Sequence, residues 1–209
     1  MKYFIQVSLI TYIASMLVYT LWSEITFSTI DKGWIGSIVY LPHGCRVIFY
    51  CFFGARSLPA LYAAEITGPT LVWEGKYLDY WTYASISSLL AVVVAVEIVK
   101  WSRVSTFNYN ILKKVNFANY KFLIFVIIIS ALFNSIFTNL ILSMINGVNI
   151  GVEVIARFFV GDVLGSVAFI IFLMILFNLL QQRRLYKVCL LYTSPSPRDY
   201  AASRMPSSA

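Results

Sequence analysis

The sequence predicts an all-α fold: a polytopic transmembrane helical bundle with about six spans and both termini in the cytoplasm. Of its 209 residues, 60% are hydrophobic and only 12% are charged, whereas a soluble domain carries about 45–50% apolar and about 25% charged residues. Long apolar runs are the second indication, because a membrane-spanning helix needs about 20 mostly apolar residues. Six runs qualify: residues 3–22, 34–53, 58–73, 83–101, 122–144 and 153–180.

The first run, 3–22, is predicted to be a retained helix. It follows Lys2 as a signal peptide would, but it is long for the apolar part of a signal and lacks a small-residue cleavage site. The third run, 58–73, is short. Tryptophan supports these boundaries, because its amphipathic ring favours the membrane interface. All five tryptophans lie near predicted helix ends: Trp22, Trp34, Trp73, Trp81 and Trp101.

The charges of the connecting loops orient the bundle. With six spans, one face holds ten basic residues and no acid: Lys2, Arg56, Lys100, Arg103, Lys113, Lys114, Lys121, Arg183, Arg184 and Lys187. The loops of the other face carry more acids than bases. Because an excess of lysine and arginine marks the cytoplasmic side, both termini are expected there. The net charge of +7 is thus a topology signal, and no nucleic-acid partner is expected.

The end of the chain differs from the rest. From Cys189 onward, CLLYTSPSPRD and then SRMPSSA resemble a translated transposase sequencing adapter, although composition alone would also fit a disordered tail. Such additions are excluded from fold reasoning. We therefore expect residues 1–187 to form the membrane domain and 188–209 to be a non-native disordered tail, so that a natural continuation beyond Lys187 would be missing.

Ionisable residues inside the predicted spans are the candidate functional residues. A charge at the bilayer centre costs at least about 2.5–3.5 kcal/mol on insertion scales, so each needs a reason. Away from the span ends, the set comprises His43, Arg46, Glu65, Arg157 and Asp162. Two interpretations are open: an ion-pair lattice that only fixes helix packing, or a polar pocket that binds a small ligand or responds to protons.

Helix-breaking and small residues flank these charges. Pro42 and Gly44 predict a kink or break near the middle of the second span, and Gly68-Pro69 predict a second distortion. Irregular backbone at membrane depth must face protein or water, which slightly favours the pocket. In the last span, Gly161 and Gly165 form a small-xxx-small pattern that permits close helix approach.

Two segments resemble a known family. Leu41-Pro42-His43-Gly44 through Phe53-Gly54 resembles the proline-glycine helix near the start of the bacterial membrane-associated sensor (MASE-type) domain. Phe159-Val160-Gly161-Asp162-Val163-Leu164-Gly165 resembles the late GD-x-LG helix of that family. The resemblance implies a sensory domain in the bacterial inner membrane, upstream of a kinase, cyclase or related module. The expected partners are the lipid bilayer, that cytoplasmic output module and a second copy of the chain.

Several function classes lack their sequence patterns. There is one histidine, no phosphate-binding or dinucleotide glycine loop and no GxSxG nucleophile motif. A single histidine without carboxylate partners at ligand spacing also makes a poor metal site. We therefore expect no enzyme activity, cofactor or metal. A sensory input domain is the first hypothesis; a small-solute or ion transporter or channel is the alternative, although no internal repeat supports it, and a packing scaffold is the third.

Overall fold

The computed structural model describes residues 2–27, 38–68, 78–102, 117–147 and 150–193. Within these ranges every regular element is a helix and there is no strand. The chain divides into two compact units, Met1–Phe169 and Ile170–Ala209, and the site described below lies in the first unit. The helices are α1 (Lys2–Phe27), α2 (Leu41–Phe53), α3 (Leu58–Thr67), α4 (Leu78–Trp101), α5 (Phe117–Asn146) and α6 (Val152–Thr193), with a 3-10 turn at Gly54–Ser57 between α2 and α3.

The all-helical class is confirmed, and among the described residues five segments are long and apolar enough to cross a membrane. They are Tyr3–Glu24, Leu41–Thr67, Trp81–Trp101, Lys121–Ile145 and Val152–Gln182. A helix suits such a segment because it satisfies every backbone hydrogen bond internally. Many large apolar side chains point outward, among them Leu17, Phe125 and Leu140. These surfaces are compatible with lipid contact and indicate a multi-pass membrane protein.

The predicted second and third spans differ from the helices observed. The second was expected from residue 34, but α2 begins at Leu41; the third was expected to reach residue 73, but α3 ends at Thr67. With 13 and 10 residues, α2 and α3 are about 20 Å and about 15 Å long. Each is shorter than the hydrocarbon core, which is about 30 Å thick.

Contacts show that α2 and α3 are antiparallel. In one continuous helix, residues 46 and 65 would lie about 28 Å apart along the axis, yet Arg46 Nε and Glu65 Oε1 are 2.8 Å apart. The chain reverses at the 3-10 turn, where Gly54 has a φ of 61°, a left-handed conformation that glycine adopts readily. We call this unit, residues 41–67, the α2–α3 hairpin.

The hairpin packs along α1. Its turn lies at the start of α1, where the Arg56 guanidinium is 5.4 Å from the Tyr3 ring centre. Its open end lies near the end of α1, where Trp22 Nε1 donates to the Val39 carbonyl at 2.8 Å. The hairpin therefore extends along most of the length of α1.

Pro42 does not kink a long helix as predicted. It lies in the first turn of α2, where the missing amide hydrogen would have no partner in the helix and the fixed φ of proline suits a helix start. The residues before it, 38–40, are not helical. The proline thus begins a helix instead of bending one. Pro69, the other predicted breaker, lies outside the described residues.

Candidate functional site

Four ionisable side chains from three helices meet inside the first unit. They are His43 and Arg46 of α2, Glu65 of α3 and Asp162 of α6, and none is more than 3% exposed. Three buried polar side chains on α4 and α5 complete the group: Ser88, Ser130 and Asn134. We call these seven residues the buried polar cluster. It connects α2, α3, α4, α5 and α6.

One half of the cluster is built around Arg46. Its guanidinium pairs with Glu65 and donates to the Ser88 hydroxyl of α4. It also lies over the Tyr40 ring, 5.3 Å from the ring centre, a distance that permits a cation–π contact. The Tyr40 hydroxyl in turn lies 3.1 Å from that of Tyr19 on α1. The arginine therefore ties the hairpin to α4 and, through the two tyrosines, to α1.

The other half joins His43 to α5 and α6. His43 Nε2 lies 3.0 Å from Ser130 Oγ, and His43 Nδ1 lies 3.6 Å from Asp162 Oδ2. Asn134 Nδ2 donates to the same carboxylate oxygen at 2.6 Å. Thr138 donates to Asn134 Oδ1 at 2.9 Å, which sets the orientation of the amide. Asp162 is thus held from two sides, by α2 and by α5.

Glycine permits the close approach of α2 and α6. The Tyr40 amide donates to the Gly161 carbonyl at 2.9 Å. A Cβ on Gly165 would lie 2.2 Å from the Tyr40 carbonyl carbon and oxygen, and one on Gly44 would lie 2.7 Å from the Ser166 Cα. No side chain fits at such distances. The start of α2 therefore packs directly against the backbone of α6.

The structure brings together four of the five ionisable residues that the sequence predicts to be functional. Arg157 is the exception: its side chain is exposed and does not join the cluster. Residues 157 and 162 are about 140° apart around the helix axis, so they cannot both face α2. The cluster therefore contains one arginine, two carboxylates and one histidine. Gly68, a predicted distortion site, ends α3 against Tyr19, whose ring a Cβ would meet at 2.6 Å.

The sequence reasoning missed the polar residues of α4 and α5. Ser130, Asn134 and Thr138 follow each other at intervals of four inside a long apolar run, which places them on one helix face. Polar residues within a span tend to face the bundle interior. This spacing could have identified α5 as a partner of the charges.

The half of the cluster around Arg46 and Glu65 is closely packed. The gap bordered by Tyr19, Arg46 and Glu65 has no room for a water-sized sphere. In the part of the chain that the structure describes, no group of three or more histidine, cysteine, aspartate or glutamate residues could hold a metal ion. The observed arrangement is one of direct contacts between side chains rather than an open chamber for a small molecule.

The two motifs that carry the family resemblance meet at this site. Pro42 and Gly44 lie in α2 on either side of His43, Gly161 and Gly165 lie in α6 on either side of Asp162, and the His43–Asp162 contact joins the two helices. The resemblance rests on these motifs. No protein-family model, no curated protein and no solved structure matches this chain.

Proposed function

We propose that this chain is a sensory domain of the bacterial inner membrane that passes a signal through α6 to a cytoplasmic output module. The observation that carries the proposal is the buried polar cluster, in which ionisable groups from α2, α3 and α6 are in contact with each other inside the helical bundle. The family resemblance supports it. A second copy of the chain is the other partner that we propose.

A buried polar cluster suits a sensor because its contacts are strongly interdependent. Charges in an apolar interior are tolerated only when they are paired and hydrogen-bonded. A change in the charge of one residue of the cluster therefore changes which arrangement of the helices is most stable. Packed interfaces tend to have discrete alternative arrangements, and Asp162 places α6 directly in contact with such an interface.

The proposal includes a topology with six membrane segments and both termini cytoplasmic. The reversal of the chain between α2 and α3, where Arg46 and Glu65 are in contact, supports counting these two helices separately. Counting α2 and α3 as two segments gives six with α1, α4, α5 and α6. An even number agrees with the basic residues at the start of the chain, at Arg56 and around Lys100.

Cysteine labelling tests this topology. In a chain whose natural cysteines are replaced by serine, we expect Lys32→Cys to react with a membrane-impermeant maleimide added to intact spheroplasts. Arg56→Cys and Lys100→Cys should react only after the membrane is opened, because loops with an excess of lysine and arginine lie on the cytoplasmic side. Labelling of Arg56→Cys from outside would contradict the proposed orientation.

A reporter fusion tests the sensory function. The full chain, fused through its C-terminus to an adenylate cyclase domain, is produced in a cyclase-deficient bacterium and exposed to steps in external pH or membrane potential. We expect cyclic AMP to change, and Asp162→Asn to reduce the change by about 5-fold or more, the lower range of allosteric coupling. The reason is that this substitution removes the carboxylate through which α6 contacts His43 of α2.

The matched control for this experiment is Glu97→Gln, which removes an exposed acid that pairs with Lys100 at 2.6 Å. It should leave the response unchanged. Equal responses of wild type and Asp162→Asn at equal protein levels, or no response of the wild type to either stimulus, would count against a sensory role.

Transport is the second candidate, and the hairpin favours it. Short, interrupted helices beside buried charged groups, such as α2 and α3, are also how secondary transporters build substrate sites. Proteoliposomes loaded with a pH-sensitive dye distinguish the two functions. Proton flux that is present in the wild type and absent in Asp162→Asn would support transport; a responsive fusion without flux supports sensing.

A further inference from the structure

The hydrogen bonds around His43 leave one ring nitrogen without a partner. Ser130 donates its own hydroxyl proton to the Ile127 carbonyl at 3.1 Å, so its oxygen accepts the contact from His43 Nε2 at 3.0 Å. The hydrogen of a neutral imidazole is therefore on Nε2, and Nδ1 carries a lone pair. Nδ1 is buried and has no hydrogen-bond partner.

The unpartnered nitrogen faces another acceptor. Asp162 Oδ2 lies 3.6 Å from His43 Nδ1 and already accepts the Asn134 amide at 2.6 Å. The Asn134 amide cannot be turned to offer its oxygen, because that oxygen accepts from Thr138. A lone pair and a carboxylate oxygen therefore oppose each other across a gap that one proton would convert into an N–H···O hydrogen bond.

The charges around this gap also favour the uptake of one proton. Arg46 is neutralised by Glu65, and the Tyr19 and Tyr40 hydroxyls bond to each other. With a neutral imidazole, the carboxylate of Asp162 leaves the cluster with one uncompensated negative charge, which is costly in an apolar interior. One added proton makes the cluster neutral. The groups that surround the gap are Tyr19 of α1, Tyr40 before α2, Arg46 of α2, Glu65 of α3, Ser88 of α4, and Ser130 and Asn134 of α5.

We propose that the His43–Asp162 contact is a binding site for a single proton, and that this proton is the ligand of the buried polar cluster. The proton leaves a hydronium ion of the water phase, so one O–H bond breaks as a bond to Nδ1 or Oδ2 forms; the charge of the pair changes from −1 to 0, and no oxidation state changes. A charge-assisted hydrogen bond is about 2.7–2.9 Å long, so uptake draws α2 and α6 together. The signalling role of this movement rests on the proposed sensory function. The proton site does not depend on that function.

The chain contains one histidine, so histidine labelled with ¹⁵N reports on His43 alone. We expect the Nδ1 resonance of the full chain in lipid nanodiscs to shift between about pH 9 and about pH 4, the range around the usual imidazole titration. Asp162→Asn should abolish the shift, and Glu97→Gln should retain it. A wild-type Nδ1 resonance that stays constant over this range would overturn the proposal, as would an unchanged titration in folded Asp162→Asn.

A second variant covers the case in which Asp162→Asn does not fold. Ser130→Ala removes the acceptor of the Nε2 hydrogen and leaves Asp162 Oδ2 opposite Nδ1, so the hydrogen of the neutral ring should move to Nδ1 and be donated to the carboxylate. The Nδ1 resonance of neutral His43 should therefore move to the range of a protonated nitrogen, and an unchanged tautomer in folded Ser130→Ala would count against the site.

The two proposals fail separately. A titrating Nδ1 with an unresponsive reporter fusion would leave the proton site standing and remove the sensory role. A responsive fusion with a constant Nδ1 resonance would keep the sensory role and exclude the proton as its ligand at this contact.

Discussion

Replacing Arg46 by methionine is expected to lower the free energy of unfolding by about 3–5 kcal/mol, the usual cost of removing one partner from a buried ion pair. Glu65 would remain buried without its counter-ion, and the Ser88 hydroxyl and the Tyr40 ring would lose their contact with the guanidinium. Reversible unfolding in mixed micelles, followed by loss of helical circular dichroism, measures the change.

Two further variants give this prediction its controls. Replacing both Arg46 and Glu65 by methionine should recover most of the loss, since apolar side chains of similar size can replace a buried ion pair. Lys100→Met removes one partner of an exposed pair, whose side chains are 43% and 58% exposed, and should cost less than about 1 kcal/mol. Stability of Arg46→Met within about 1 kcal/mol of the wild type would show that the pair is not desolvated in the folded protein.

Gly165→Ala is expected to destabilise the fold by about 1–3 kcal/mol, the usual cost of overpacking. The added Cβ would lie 2.2 Å from the carbonyl carbon and oxygen of Tyr40. These are backbone atoms, so no rotamer change can relieve the clash, and α2 must separate from α6. The same unfolding experiment measures the effect.

Gly151→Ala is the matched control, because nothing lies within 4 Å of a Cβ at that position. It should change stability by no more than about 0.5 kcal/mol, as ordinary surface substitutions do. If the two alanine variants were equally stable, the close contact of α2 with α6 would not exist in solution.

Four spans could be predicted closely from the sequence. Residues 83–101 and 122–144 were expected, and the apolar segments of α4 and α5 are Trp81–Trp101 and Lys121–Ile145. The reason is that the length of an apolar run limits where a helix can cross lipid. The hairpin was less predictable, because a proline inside an apolar run has two outcomes, a kink or a helix start, and the choice depends on which groups bond to the backbone that the proline leaves unpaired. Here the Gly161 carbonyl accepts the Tyr40 amide.

The sequence by itself determined that the chain forms apolar helices and that the few charges within them are expensive enough to need partners. The tertiary structure alone decided that Arg46 pairs with Glu65, that His43 faces Asp162 and that Arg157 stays outside. In a soluble protein an apolar stripe reveals which helix face turns inward. In a membrane protein both the interior and the lipid-facing surface are apolar, so helix rotation, and with it the partner of each charge, is set by contacts between helices.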